Sequence, residues 1–140
     1  MKEYKISVEG LTLPIEPLTN FQLLNSVKEL KIPYFRGVFM RNGLPTKPRG
    51  RECGILNLDD VSGRGTHWVC WYKNNEVNYY FDSFGVQPPN ELIKYLASPL
   101  LYNTEKIQSD DQVICGHLCL YVLRRLSRGE NFQRVLNNLH

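Results

Sequence analysis

Cys115 has the clearest claim to chemistry in this sequence. Directly after it, apolar residues recur at Leu118, Cys119, Val122, Leu123 and Leu126, the spacing of a buried amphipathic helix face. Cys115 therefore falls where that helix begins, beside the flexible Gly116. The unpaired N–H groups and positive dipole end of a helix N-terminus favour the thiolate, the nucleophilic form of cysteine. A cysteine without partners is ordinarily a small buried hydrophobe, so the case depends on what else the chain supplies.

A thiolate nucleophile needs a base within hydrogen-bond reach, and the base needs a group to orient it. The chain has three histidines. His117 lies two residues beyond Cys115 and points about 200° around the helix axis from it. His140, the last residue, is expected to fray. His67 remains. Two alternating, aromatic-rich runs, His67–Tyr72 and Val77–Asp82, flank Asn74-Asn75 and read as a hairpin. With those two asparagines as turn residues, His67 falls directly opposite Asp82, at a Cβ separation of about 4.5–5.5 Å. A one-residue slip would break the pairing. The oxyanion of a tetrahedral intermediate would need donors. The Cys115 N–H is one, and the amide of Gln108 or of Gln112 qualifies as the second; spacing alone does not separate them.

The elements that must position these groups can be read around them. A short strand is expected at Tyr4–Val8, then a connection punctuated by Pro14 and Pro17. Thr19-Asn20-Phe21-Gln22 has the form of a capping box and opens a helix over residues 20–31, which Pro33 ends. An extended piece, 35–39, precedes a loop over 40–51, and Cys53–Leu58 reads as a central strand followed by a polar turn from Asp59 to Gly65. After the hairpin come a short helix, Glu91–Ala97, a strand over Leu101–Ile107, the helix from Cys115 to about Ser127, and a last amphipathic helix marked by Phe132, Val135, Leu136 and Leu139. The expected fold is α+β: a central mixed or antiparallel-leaning sheet packed by helices, in one domain over 1–140.

Composition narrows the classes. Hydrophobic content of 42% with 22% charged residues fits a soluble globular domain. No apolar run is long enough to cross a membrane, and no signal peptide is expected at the N-terminus. The four cysteines are too sparse for a disulfide scaffold. No CxxC pair is present, so no metal site is expected; Cys53, Cys70 and Cys119 read as core thiols. The net charge is only +3, yet Arg36, Arg41, Lys47, Arg49 and Arg51 form a run with no acid among them. Such a loop is either solvated or a weak polyanion site.

Taken together, Gly65-Thr66-His67-Trp68, Tyr80-Phe81-Asp82-Ser83-Phe84-Gly85 and Gln108 seven residues before Cys115-Gly116 resemble the adenovirus-type (adenain-like) maturation proteases. These are cysteine peptidases related to the ubiquitin-like-modifier proteases, and G-x-H-W, F-(E/D)-x-F-G and Q-x6-C-G occur in them in this order. Upstream, Pro33-Tyr34-Phe35-Arg36-Gly37-Val38-Phe39 is similar to the family's P-Y-F-x-G-x-F. The short form is most similar to the proteases of virophages and Polinton/Maverick-type elements. The resemblance implies that Cys115 is the nucleophile, His67 the base, Asp82 its orienter and Gln108 the oxyanion donor in preference to Gln112.

It further implies a monomeric thiol endopeptidase that processes viral capsid and core precursors at small-residue, glycine-containing sites. The setting would be the virion and the infected cell, without secretion. No cofactor is required. Stimulation by DNA, through Arg36–Arg51 or through Arg124, Arg125 and Arg128, or by a viral peptide, would fit the family. Trp68, next to the base, reads either as the wall of a substrate cleft or as a core aromatic. Two departures stand out: Asp occupies the position where adenoviral enzymes have Glu, and no cysteine maps onto their peptide-linking one. The alternative functions are removal of a ubiquitin-like modifier from host proteins, and a silent DNA- or capsid-binding module.

Overall fold

The computed structural model describes residues 4–59, 67–109 and 112–139. The chain opens with a hairpin of β1 (Lys5–Val8) and β2 (Leu11–Pro14), in which Val8 pairs with Leu11 across Glu9-Gly10. Both turn residues have positive φ, 50° and 88°. That two-residue geometry matches the twist of the strands it joins. The second strand replaces the plain connection expected from Pro14 and Pro17; Pro14 stands at the end of an edge strand, where a missing N–H is tolerated.

Helix α1 (Asn20–Glu29) starts on the expected capping box. The Gln22 N–H donates to Thr19 Oγ1 at 3.1 Å, and the Thr19 N–H donates to Gln22 Oε1 at 2.8 Å. Strands β3 (Phe35–Met40), β4 (Arg51–Asn57), β5 (Trp68–Asn74), β6 (Asn78–Phe81) and β7 (Leu100–Tyr102) form one sheet in that order. The outer pairs β3/β4 and β6/β7 are parallel, and β4/β5 and β5/β6 are antiparallel. Helix α2 (Asn90–Leu96) lies between β6 and β7 in sequence, and α3 (Cys115–Ser127) and α4 (Phe132–Asn137) close the chain. Most of the expected turn over 59–65, together with Thr66, Asp110, Asp111 and His140, lies outside the described residues.

Strand β5 is buried on both faces because each face has its own cover. Trp68, Cys70 and Tyr72 join the larger core with Leu23 and Val27 of α1, Cys119, Leu120 and Leu123 of α3, and Val135 of α4. Val69 and Trp71, alternating with them, join the smaller core with Leu92, Tyr95 and Leu96 of α2. Gly54 on β4 makes room for the second of these cores, since a Cβ there would overlap the Trp71 ring.

A buried carboxylate sits in the smaller core. Glu52 Oε1 accepts from Arg36 Nη1 at 3.0 Å and from the Arg49 N–H at 2.7 Å. Its Oε2 accepts from Trp71 Nε1 at 3.1 Å and from the Tyr95 hydroxyl at 2.8 Å. Both oxygens are satisfied, as a buried charge requires.

On the other face, α3 packs along β5, and its first turn lies against α1 because residue 116 is glycine. A Cβ there would stand 3.3 Å from Leu18, Leu23 and the Trp68 ring, tighter than ordinary packing accepts. Glu9 ties the N-terminal hairpin to the far end of α3 through Arg125.

Candidate active site

The hairpin of β5 and β6 has a different register from the one its asparagines suggest. Cys70 pairs with Phe81 rather than with Tyr79, because the loop runs from Asn74 to Val77. Asn74 Oδ1 accepts the Val77 N–H at 3.1 Å, and Asn75 has φ 74°, which is asparagine turn chemistry. The displacement is two residues, so every side chain keeps its face. Continued past the strand ends, this register sets His67 across from Phe84 and makes Asp82 its diagonal neighbour. Both relations are seen. The Phe84 ring stacks on the imidazole at 4.5 Å between centroids and 19° between planes. The chain leaves the strand after Phe81 and turns, and the Gly85 N–H donates to the Asp82 C=O at 2.8 Å. Asp82 is thereby swung toward His67.

His67 Nε2 lies 2.7 Å from Asp82 Oδ1. The same oxygen accepts the Phe84 N–H at 2.8 Å, while Oδ2 is buried with no hydrogen-bond partner among the described residues. Asn103 clamps the backbone of Asp82 from behind: its Oδ1 accepts the Asp82 N–H at 3.1 Å, and its Nδ2 donates to the Asp82 C=O at 2.6 Å. This explains a second difference from the sequence reading. Strand β7 stops at Tyr102 instead of running to Ile107 because the next residue spends its side chain on Asp82.

With Nε2 held by Asp82, Nδ1 is the nitrogen left to serve Cys115, whose ionisation is linked to that of His67. Cys115 is the first residue of α3 and only 7% exposed. The Trp68 N–H points at its Sγ from 3.5 Å. Burial opposes the thiolate, but the hydrogen bond with His67, the N–H groups of Trp68 and Gly116 and the imidazolium charge together hold this thiol below its ordinary range. Burial likewise disfavours the imidazolium, yet hydrogen bonds to Asp82 and Cys115 and the charges of both raise His67 to about 9. Both shifts favour a thiolate–imidazolium pair, with the imidazole held by a buried carboxylate.

Gln108 is bonded to the residue that follows Asp82. It is 2% exposed, and its side-chain amide is held at both ends: Oε1 accepts the Ser83 hydroxyl at 2.8 Å, and Nε2 donates to the Gln112 C=O. An amide nitrogen carries two hydrogens, so that bond uses one of them. Gln112 is exposed, and its side chain accepts the Ser109 N–H at 2.8 Å. Of the two glutamines that spacing left equal, Gln112 braces the loop and Gln108 is turned inward.

No family model and no curated protein matches this sequence. The three-dimensional comparison does find likenesses. The crystal structure of ASFV pS273R protease aligns with a TM-score of 0.60 and 18% identity over 87% of this chain. Its selenomethionine form gives 0.61 and 17% over the same share. The fold is that of the ASFV pS273R protease. This chain spans 61% and 62% of the length of those two.

Trp68 is 6% exposed; its Nε1 donates to the Leu18 C=O at 2.8 Å and its ring packs on Gly116. Of the two readings of Trp68, this packing fits the core aromatic, and what Trp68 offers the thiol is its backbone N–H. The basic segment is less basic than its own residues suggest, because acids reach it from elsewhere in the chain. Arg36 pairs with Glu52 at 3.0 Å, and Arg41 with Glu91 of α2 at 3.2 Å. Arg51 lies over the Tyr34 ring and donates to the Tyr72 hydroxyl at 3.3 Å. Lys47 and Arg49 are exposed. In the second group, Arg125 pairs with Glu9 and Glu130, Arg128 is 4.0 Å from Glu9, and Arg124 is half-buried.

His117 turns away from Cys115, with Nε2 2.8 Å from the Pro14 C=O. Sequence reasoning missed Phe84, Ser83 and Asn103. The first two stand inside the motif that contains Asp82, and their contacts follow from the turn there; nothing in the sequence singles out Asn103. Among the described residues no group of three or more His, Cys, Asp or Glu could hold a metal, and no helix is long and apolar enough to cross a membrane.

Proposed function

We propose that this protein is a cysteine endopeptidase. The observation that carries the reading is His67, bonded through Nε2 to buried Asp82 and electrostatically linked to Cys115 at the start of α3. The Cys115 thiolate attacks the carbonyl carbon of a peptide bond. The developing oxyanion takes hydrogen bonds from the Cys115 N–H and from the second hydrogen of Gln108 Nε2. As the C–N bond breaks, His67 gives its proton to the leaving amine and a thioester remains. Water, deprotonated by the now neutral His67, attacks the thioester; collapse releases the carboxylic acid and restores the thiolate–imidazolium pair. Asp82 holds the imidazole in the tautomer and plane that both steps need.

The substrates we propose are viral capsid and core precursors, cut beside small residues such as glycine during virion maturation. The motif resemblance and the fold shared with ASFV pS273R protease support this reading. A place among the compact proteases of virophages and Polinton-type elements belongs to the same proposal and rests on the motif resemblance alone. Stimulation by DNA through exposed cations such as Lys47 and Arg49, or by a viral peptide, belongs to the same proposal.

Co-expression of the wild type, and separately of Cys115→Ala, with viral capsid precursor polypeptides tests the proposal by mass spectrometry of the intact products. Discrete new termini with the wild type and none with Cys115→Ala are expected, a loss of roughly 10⁴-fold or more. Equal cleavage by both proteins would end the reading.

A further inference from the structure

The turn after β6 does more than carry Asp82. Ser83 is wholly buried, and its backbone and side chain converge on a single neighbouring segment. Its C=O accepts the N–H groups of Ile107 at 2.8 Å and of Gln108 at 3.0 Å. Its hydroxyl donates to Gln108 Oε1 at 2.8 Å. One turn residue thus touches the base and the next touches the amide.

A glutamine carboxamide can rotate by half a turn about its last bond, exchanging its oxygen for its nitrogen with almost no change of shape. At an oxyanion site the two orientations are opposite in effect: N–H stabilises negative charge and C=O repels it. The Gln112 C=O accepts only, so it draws Nε2 toward itself. That leaves Oε1 pointing into a buried position, where an oxygen without a donor is costly. The Ser83 hydroxyl is the donor that occupies it.

We propose that Ser83 is a positioning residue for the oxyanion hole, locking the Gln108 carboxamide with its nitrogen toward the reacting carbonyl. Asp82 and Ser83 then set the base and the oxyanion donor from consecutive positions of one turn, which keeps the two in fixed relation. The inference rests on the peptidase reading for its consequence in catalysis, and on the hydrogen bonds alone for its structural part.

The test compares wild type, Ser83→Ala, Gln108→Ala and the double variant on a fluorogenic peptide ending in Gly-Gly-aminomethylcoumarin. Ser83→Ala should lower kcat by roughly 10–100-fold with KM nearly unchanged, and should add nothing to Gln108→Ala. Alkylation of Cys115 by iodoacetamide forms no oxyanion, so its rate and pH dependence should match wild type in Ser83→Ala. Wild-type turnover in Ser83→Ala, an equal loss in the Gln108→Ala background, or slowed alkylation would each overturn the proposal.

If Ser83→Ala does not fold, Ser83→Cys keeps a weak donor and should give an intermediate kcat; turnover equal to wild type there would count against the lock. Nitrogen-15 relaxation of the Gln108 carboxamide separates the two layers. Its signal should be rigid in wild type and averaged in the Ser83 variant even if no peptide is cut, and that combination would retire the peptidase reading while keeping the lock. A carboxamide equally rigid in both proteins would remove the lock itself.

Discussion

Two carboxylates among the described residues are almost completely withdrawn from water, each 1% exposed: Glu52 on the α2 side of the sheet and Asp82 at the end of β6. They are kept there in different ways. Glu52 receives four donors, two on each oxygen, one of them a guanidinium. Asp82 receives His67 and the Phe84 N–H on one oxygen, and its other oxygen has no partner among the described residues. A saturated carboxylate can do nothing further, and its ties run to β3, β5, α2 and the loop before β4. It holds elements together. A partly satisfied one facing a histidine has its charge directed at a group that changes protonation. The difference separates a structural anion from one suited to chemistry, although burial and residue class are the same.

The largest effect that would break this contrast is at Asp82. Asp82→Asn keeps an oxygen for the Phe84 N–H but removes the charge that supports the imidazolium, so kcat in the folded fraction should fall by roughly 10²–10⁴-fold, and the stability that the raised His67 supplies should fall with it. The pH profile of kcat/KM sharpens the point. His67 is raised from 6.5 to about 9, so the protonated imidazole needed by the leaving amine should be lost in an alkaline limb near pH 9, a limb that belongs to the coupled pair. Asp82→Asn should move that limb to lower pH. In linkage terms, a folded pKa above the unfolded one adds stability that is complete below pH 6.5 and disappears as pH rises through about 9. An unmoved limb in Asp82→Asn would deny the carboxylate its role.

Glu52→Gln should do the opposite. An amide places hydrogens against donors and leaves the Arg36 guanidinium without its counter-charge, a loss of about 3 kcal/mol, read as a lower midpoint in urea. Because Glu52 belongs to the core on the far side of the sheet from Cys115, kcat in the folded fraction should stay within about twofold of wild type. A Glu52→Gln enzyme that is stable but slow would dissolve the distinction.

Much of the candidate site's arrangement was legible in the sequence, and the reasons are local. The stripe after Cys115 places it at a helix start, and the Thr19–Gln22 box places α1; both signals lie within a few residues of what they specify. His67 and Asp82 meet although the anticipated register is off by two residues, because an even displacement preserves the face and a diagonal neighbour is within reach of an imidazole. What failed to show was decided by partners distant in the chain. Asn103 takes up the backbone of Asp82 and so ends β7 early. Glu91 and Glu52 cancel charges in a segment that contains no acid of its own. Strand β2 had a readable signal, Glu9-Gly10 between alternating apolar residues, but the prolines after it suggested a connection.

The smallest of the tests bears on how evenly Glu52 is held. Tyr95→Phe removes a single neutral donor and leaves Oε2 with Trp71 Nε1 and Oε1 with both of its own partners. If the four donors act as independent bonds, the cost is that of one hydrogen bond to a charged group, about 2 kcal/mol, or roughly 6–10 °C in Tm for a domain of this size. A larger loss would mean that the network around Glu52 strengthens its members jointly, and the double variant with Glu52→Gln would then cost clearly less than the two single changes together. In either case kcat should not move, because the hydroxyl belongs to α2, which covers the sheet face opposite the thiol.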